Sequence, residues 1–508
     1  MGELVMNTVR LVLEHAVKCY PSSTAIVVDD LHVTYRELGE GVFKTIGALR
    51  DLGVTEGDRI AVLAQNSIQF VQIWLAVPMM GAALAPLNTR LTTHELQPII
   101  EEYEPHLILT DWNLDTVCEV VPAGTKIQPM GQELAGLVAA AAPSKSSSSV
   151  TENDVMSVVY TGGTTGRSKG VMLTHRNRLS DAISMIAATR MTKEDVWFNC
   201  SPVFHTSGTF CILPLFWTGA TMVIESKFDA GVFADRVEAY GVTMCQMVPK
   251  MIQDVLEVVE TDDRRLKTLR FLGHGGAPIT ESLLREACQR LPKVEFASVY
   301  GATELSPVAT VFQHQERHFG GGRFASCGQA VLGVEVRIID DDGKLVATRS
   351  IGEVAVRGPN MMKGYFRRPD ATAEAIVDGF YRTGDLGYLD EDGYVYVVDR
   401  KKDMIISGGE NIYSLEVETV IAEFPGVIEV AVFGRPHEGW GETVCATIVA
   451  ADELDLDRLR THCRERLAGY KQPRQIDVVQ TPLPRTPAGK VSKRDLRDAP
   501  PSALSPTN

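Results

Sequence analysis

Apolar residues in "TVRLVLEHAVKC" return every three or four positions, so Val9, Val12, Leu13, Ala16 and Val17 share one face and predict an amphipathic helix. "RIAVLA", "HLILT" and "TMVIE" are instead short, almost wholly apolar runs and predict buried strands. Helical and strand patterns alternate over roughly the first 330 residues, which predicts a layered α/β architecture. The longest apolar stretch, "IWLAVPMMGAALAPL" (Ile73 to Leu87), is broken by Pro78 and Gly81. It falls short of the roughly 20 residues a bilayer span needs, so it predicts a core helix running into a strand, and no membrane span.

From Val334 the pattern turns to period two in "VEVRIID", "EVAVRG" and "YVYVVD", with turn pairs at Asp342-Gly343 and Asp392-Gly393. This predicts a smaller β-rich region at the end of the large domain. After Arg400 the composition changes again. "KKDMIISGGENIYSLEVE" leads into a helix, then come "VIEVAVFG" and "TVCATIVA", a polar helix and a Pro/Lys/Arg-rich end. That length suits a small α+β domain. The expected division is therefore residues 1–400 and 401–508, with the boundary at Arg400 to Lys402. The polar stretch "PSKSSSSV" (Pro143 to Val150) is followed at once by a strong strand and reads as a surface loop within the first domain.

Composition narrows the function. With 508 residues and 44% hydrophobic content the chain exceeds one ordinary domain. A formal charge of −15 argues against general affinity for nucleic acid or an anionic membrane, so an anionic ligand must be met by local cations. The nine cysteines form no CxxC pair, which suits reduced thiols in a cytoplasmic protein. Residues 1–10 lack a secretory apolar core, and the closing "SPTN" is no peroxisomal address.

The sharpest local signal is "YTGGTTGRSKG", Tyr160 to Gly170. A β-branched strand ends in a Gly/Thr run with two cations, where backbone N–H groups can gather phosphate oxygens. It is not the loop of P-loop NTPases, because Ser168 precedes Lys169 and Gly170 follows it.

Together with "YGATE" (300–304), "YRTGDLG" (381–387), "DRKKDMIISGGENIY" (399–413) and "PRTPAGK" (484–490), this loop resembles the motif set of the adenylate-forming enzymes. These comprise acyl- and aryl-CoA synthetases, adenylation domains and luciferases. The resemblance runs from about residue 8 to 497 and looks closest to benzoate-type and medium-chain CoA ligases. It implies that an acid is joined to the α-phosphate of ATP, with Mg²⁺, and that the acyl group then passes to the thiol of coenzyme A. Two anions must meet, so the catalysis it implies is charge neutralisation and alignment.

Residue by residue, the resemblance implies nucleotide-binding roles for Thr161, Thr164, Thr165, Lys169, Gly276 and Tyr300. Thr303 would touch the α-phosphate, Glu304 would hold Mg²⁺, and Asp385 with Arg400 would hold the ribose. Lys490 would be the mobile catalytic lysine and Lys402 the hinge of a rotating small domain. Gly408 and Gly409 would line the pantetheine tunnel, and Trp440 would lie near the CoA end, with Arg90 and Arg474 as candidates for the CoA phosphates.

The acid pocket is expected between "SPVFHTSG", "GHGGAP" and "VYGATE", gated by His205. Gly273, Gly275, Gly276 and Gly301 would leave room beside the carboxylate, which favours a bulky, mainly apolar monocarboxylic acid. Partners are thus a small carboxylic acid and CoA, with a homodimer as one expectation for assembly. Three positions depart from the family pattern: Gly162 for Ser, Ser168 for Pro, and Ser414 for Pro; the prolines expected around Ala330 and Leu332 are also missing. Gly162 and Ser168 leave open an enzyme that only transfers an acyl group from an adenylate made elsewhere; apart from them, loading of a carrier protein, a luciferase-like oxygenase and a silent nucleotide- or acyl-binding module are the alternatives to the full ligase.

Overall fold

Among the described residues the apolar runs resolve into four sheets. The computed structural model describes residues 8–122, 124–145, 147, 149–161, 168–315, 318–320, 322–450, 454–486 and 490–499. One sheet has nine strands, with the parallel strands Thr24–Val28, Thr221–Ile224, Val196–Asn199, Met244–Met247, Phe271–Gly275 and Glu295–Tyr300 side by side at its centre. A second has seven, built on parallel Lys126–Pro129, Leu107–Thr110, Arg59–Leu63, Ala83–Pro86 and Val155–Thr161, with Lys169–Thr174 added antiparallel.

The helices between these sheets explain the two periodicities. Val9–Cys19 buries Val9, Val12, Leu13 and Ala16, the predicted stripe, with Val17 packed at its edge. The long apolar stretch becomes the helix Ile68–Met79 followed by the strand Ala83–Pro86, and nearly every side of that helix is buried. One continuous apolar cluster joins these helices to Ile26, Trp197 and Met244 of the first sheet and Ile60, Val62 and Leu84 of the second. The buried charges beside this layer are hydrogen-bonded: Arg178, its guanidinium 5.5 Å from the centre of the Trp74 ring, donates to the Ser306 carbonyl at 3.0 Å, and Asp181 accepts from the Val308 N–H at 3.1 Å. Among the described residues no helix is long and apolar enough to cross a membrane.

The period-two segments form a five-stranded antiparallel sheet from Glu335–Ile339, Gly352–Arg357, Phe380–Leu389 and their neighbours. Its last strand, Val395–Arg400, pairs with Phe380–Leu389 and sets Asp385 opposite Arg400. The fourth sheet holds Ile405–Ser407, Glu410–Ile412, Gly441–Ala450, Val427–His437 and Gln475–Val479. It has its own core around Ile405, Val417, Val432 and Leu459. This is the α/β fold with a β-rich subregion and a smaller α+β part that the sequence predicts. The serine-rich loop is tied down: Ser147 N–H donates to the Met79 carbonyl at 2.9 Å, and the Ser147 and Ser149 hydroxyls donate to Glu56 at 2.9 and 2.5 Å.

Candidate active site

Strand ends carry the site, because a strand that stops at a sheet rim presents its last side chains beside the next loop. Glu295–Tyr300 ends in Tyr300, and "ATE" follows as a short 3₁₀ turn over Thr303–Leu305. Tyr300 Oη donates to Asp385 Oδ2 at 2.7 Å, and Arg400 Nε meets Asp385 Oδ1 at 2.7 Å. Asp385 is thus oriented through both oxygens, and each oxygen keeps a further lone pair for sugar hydroxyls. Burial and the adjacent Asp385 charge raise the Tyr300 hydroxyl well above the ordinary tyrosine range, so it stays a donor.

Glu304 is buried and accepts from Tyr365 Oη at 2.8 Å, while its backbone carbonyl accepts from the Met362 N–H at 2.8 Å. Lys169 lies with its ammonium 4.9 Å from the centre of the Tyr365 ring. Lys169 thus lies over the same ring that donates to the Glu304 carboxylate. Tyr365 has no assigned role in the sequence reading. Its place arises only because Gly364–Tyr365 pairs with Val171 and Met172, the strand that Lys169 begins, and no spacing in "KGYFRRPD" signals that pairing.

Lys490, near the chain's far end, reaches into the same cleft. Although open to solvent on one side, its ammonium is crowded by protein and lowered from the ordinary lysine range by desolvation and by Arg400. Asp385 and Glu304 pull the other way, and Lys402 adds to the lowering. Thr303 Oγ1 lies 3.5 Å from Thr206 Oγ1, which links the α-phosphate candidate to the pocket loop. His205 precedes that turn. Burial, with Arg90 and Lys490 nearby, pushes its imidazole down to about 4, and its buried Nε2 has no hydrogen-bond partner. A neutral ring with a free nitrogen can face an uncharged part of a ligand.

Thr161 pairs with Lys169 across the hairpin, its hydroxyl 3.4 Å from the Lys169 carbonyl; Thr164 and Thr165 lie outside the described residues. Gly276 has φ +78°, a conformation that favours glycine, and little lies near it. The other pocket glycines need correction. A side chain at Gly275 would run into the Val299 carbonyl, and one at Gly301 into the Pro307 carbonyl, so close backbone packing accounts for both rather than room for a ligand. The space over Gly273 and Gly275 is occupied by Gln246, a residue absent from the sequence reading, whose Oε1 is buried without a partner.

One expected group is not brought into the cleft. Gly408 and Gly409 form the exposed turn between Ile405–Ser407 and Glu410–Ile412, and among the described residues a side chain at either would meet nothing within 4 Å. Their neighbour is Trp440, whose carbonyl accepts from the Gly408 N–H at 2.8 Å. The Trp440 ring stacks on His437 at 4.9 Å and carries the Arg474 guanidinium on its face. Arg90, the other phosphate candidate, sits 5.8 Å over the Phe204 ring at the pocket loop, away from that stack's sequence neighbours.

Lys490 near Asp385 and Glu304, the Arg400–Asp385 pair, and Lys169 over the Tyr365 ring that donates to Glu304 bring cations and oriented carboxylates together, the arrangement that a nucleotide-dependent, acid-activating ligase requires. The chain belongs to the AMP-binding enzyme family, whose model matches residues 13–366, while the model of the AMP-binding enzyme C-terminal domain matches 416–490. It is similar to a feruloyl-CoA synthase of Amycolatopsis sp, with 36% identity over 94% of this chain and 96% of that one. It is also similar to a 2-succinylbenzoate–CoA ligase of Bacillus mycoides, with 33% identity over the same shares. Among solved structures, o-succinylbenzoate CoA synthetase of Bacillus subtilis with its acyl-adenylate intermediate superposes with a TM-score of 0.88 at 30% identity, covering 96% of this chain and 98% of that one. The same synthetase with ATP and magnesium gives 0.87 at 30% identity, covering 96% and 99%. The chain is accordingly an ATP-dependent, AMP-forming acid–thiol ligase of the acyl-CoA synthetase class, as its motifs imply.

Proposed function

We propose that the chain activates a hydroxylated aromatic monocarboxylic acid of the ferulate type as its AMP ester and passes the acyl group to CoA after residues 401–508 turn about Lys402. The observation that carries this reading is Lys490 placed near Asp385, which Tyr300 and Arg400 hold, and Glu304, which Tyr365 holds, so that both carboxylate charges act on its ammonium. In that position its ammonium neutralises the acid carboxylate and the α-phosphate as they approach, a role that also favours full ligase activity over transfer alone. Asp385, steered by Tyr300 and Arg400, orients the ribose, and Thr303 meets the α-phosphate.

Glu304 fits Mg²⁺. Tyr365 occupies one side of its carboxylate, and among the described residues no cluster of three metal-ligating side chains exists. A single carboxylate completed by phosphate oxygens and water is the arrangement Mg²⁺ accepts. When bound, the ion supplies charge neutralisation on the phosphates.

The acid class follows from Gln246. A buried acceptor without a partner costs free energy that a hydroxyl on the acid would recover. A neutral amide there favours a phenol over a second carboxylate. For the second step, the Trp440 and Arg474 pair offers a face for a nucleotide base and a cation for a phosphate, and Gly408 and Gly409 a passage for pantetheine. Nine unpaired thiols support a cytoplasmic setting, and a homodimer is retained as the proposal on assembly, to be tested by sedimentation.

The test is a mass-spectrometric screen of ferulic, 4-coumaric, benzoic and 2-succinylbenzoic acids with ATP, Mg²⁺ and CoA. The expected result is AMP-ester and thioester with the hydroxylated acids first. Thioester from none of the aromatic acids, or only from the dicarboxylic acid, would overturn the assignment.

A further inference from the structure

The strand Val395–Arg400 stays with the large part of the molecule: it pairs with Phe380–Leu389, and the Lys401 N–H is held by the Gly384 carbonyl at 2.9 Å. The helix Ser414–Ala422 belongs to the other side of Lys402 and packs in the core of the small sheet. Between them lies a buried polar connection. The Ser414 N–H donates to Asp399 Oδ2, and the Ser414 hydroxyl donates to Asp399 Oδ1 at 3.0 Å. The same hydroxyl oxygen accepts from Lys493 Nζ at 2.6 Å, and Lys493 pairs with Glu418 at 2.7 Å. Ser414 is completely buried and Asp399 nearly so.

We propose that Ser414 is a positioning residue, latching residues 401–508 onto the large part in the adenylate-forming pose by giving both its donors to Asp399 and its hydroxyl oxygen to Lys493. The inference rests on the reading of Lys402 as the hinge. Rotation there leaves Asp399 behind and carries Ser414, Lys493 and Glu418 away together, so the bonds to Asp399 are the ones that must break. Lys493 stands three residues after Lys490, so the latch also anchors the segment that delivers the catalytic ammonium. The motif pattern has proline at position 414. Proline has neither the N–H nor the hydroxyl, so the latch is a property this chain gains from its serine. Hydrogen bonds to a buried carboxylate are the stronger kind, and loss of two shifts a two-pose equilibrium on the order of tenfold or more.

Ser414→Pro is the direct test. Ser414 is the first residue of its helix, where proline is favoured, so the helix should persist. Ser414→Ala removes only the hydroxyl and serves as the milder variant. Spin labels at Leu345→Cys and Ile428→Cys, both exposed positions on opposite sides of Lys402, report the distance between the two parts once the exposed native Cys19 and Cys118 are replaced by serine. One dominant distance is expected for the parent, a second population raised at least about fivefold for Ser414→Pro, and an intermediate one for Ser414→Ala. In parallel, ATP–pyrophosphate exchange with ferulic acid should fall about tenfold in Ser414→Pro while thioester formation from supplied feruloyl-adenylate holds or rises. Distance distributions that superimpose in all three proteins would overturn the latch, even if the protein makes thioester. If distances shift but no aromatic acid is activated, the latch stands and the aromatic-acid reading fails.

Discussion

The cleft around Glu304 and the turn at Gly408–Gly409 differ in how far each is finished in this pose. In the cleft the described carboxylates have partners that aim them: Tyr300 and Arg400 on Asp385, Tyr365 on Glu304, with both carboxylates acting on Lys490. At the turn the two glycines face open space, and the Trp440 ring stacks on His437 and Arg474 of the small part. Preorganised donors lower a barrier because they need no reorientation as charge develops. The comparison teaches that the groups proposed for acid activation are already oriented by their neighbours, whereas those proposed for the thiol step are not.

The largest break in that comparison is Lys490→Ala. Adenylate formation should fall by about a thousandfold, whereas thioester formation from supplied adenylate should change by less than about threefold; single-turnover assays of the two half-reactions separate them, and equal losses would remove Lys490 from the first. Next, Tyr300→Phe should slow the first half-reaction by about tenfold, because Asp385 loses a charge-assisted hydrogen bond and its aim at the ribose; an unchanged rate with an unchanged KM for ATP would show that Arg400 suffices. Trp440→Ala tests the other region. A rise of about fivefold in KM for CoA is expected, with pyrophosphate exchange untouched, since the stacking face is lost outside the cleft.

The smallest effect near neutral pH is an alkaline one. Desolvation first, then Arg400, lowers the Lys490 ammonium below the ordinary lysine range, with Asp385 and Glu304 opposing. The first half-reaction needs the charged form, so it is intact below that lowered value and declines as pH rises through it. Pyrophosphate exchange should therefore fail at lower pH than a normal lysine would dictate, and thioester formation from supplied adenylate should show no such limb. Coincident limbs in both assays would assign the titration to another group.

Much of the cleft was legible in the chain because chemistry that handles phosphates leaves short, spaced signals: "YGATE", "TGDL" and "PAGK" each carry a residue type with few other uses. Tyr365 and Gln246 were not legible. One is a tyrosine in a two-residue strand, the other a polar residue on a strand whose neighbours, Cys245 and Met247, are buried on the opposite face. Gly275 and Gly301 were misread for a related reason, since a glycine demanded by a neighbouring carbonyl looks the same in sequence as one demanded by a ligand. Ser414 stood out as a departure from proline, but its partners Asp399 and Lys493 lie 15 and 79 positions away.

Periodicity and motif order by themselves determined the layered α/β plan, the change of character near Arg400 and the class of reaction, because each depends on local backbone preference or on residue types within a few positions of one another. The tertiary structure decided the rest: which tyrosine steadies Glu304, what occupies the space over the pocket glycines and which side chains meet Ser414. Those depend on side chains far apart in the chain meeting in a dry interior, where a single hydrogen bond to a charge is strong enough to choose between arrangements that the sequence leaves equally open.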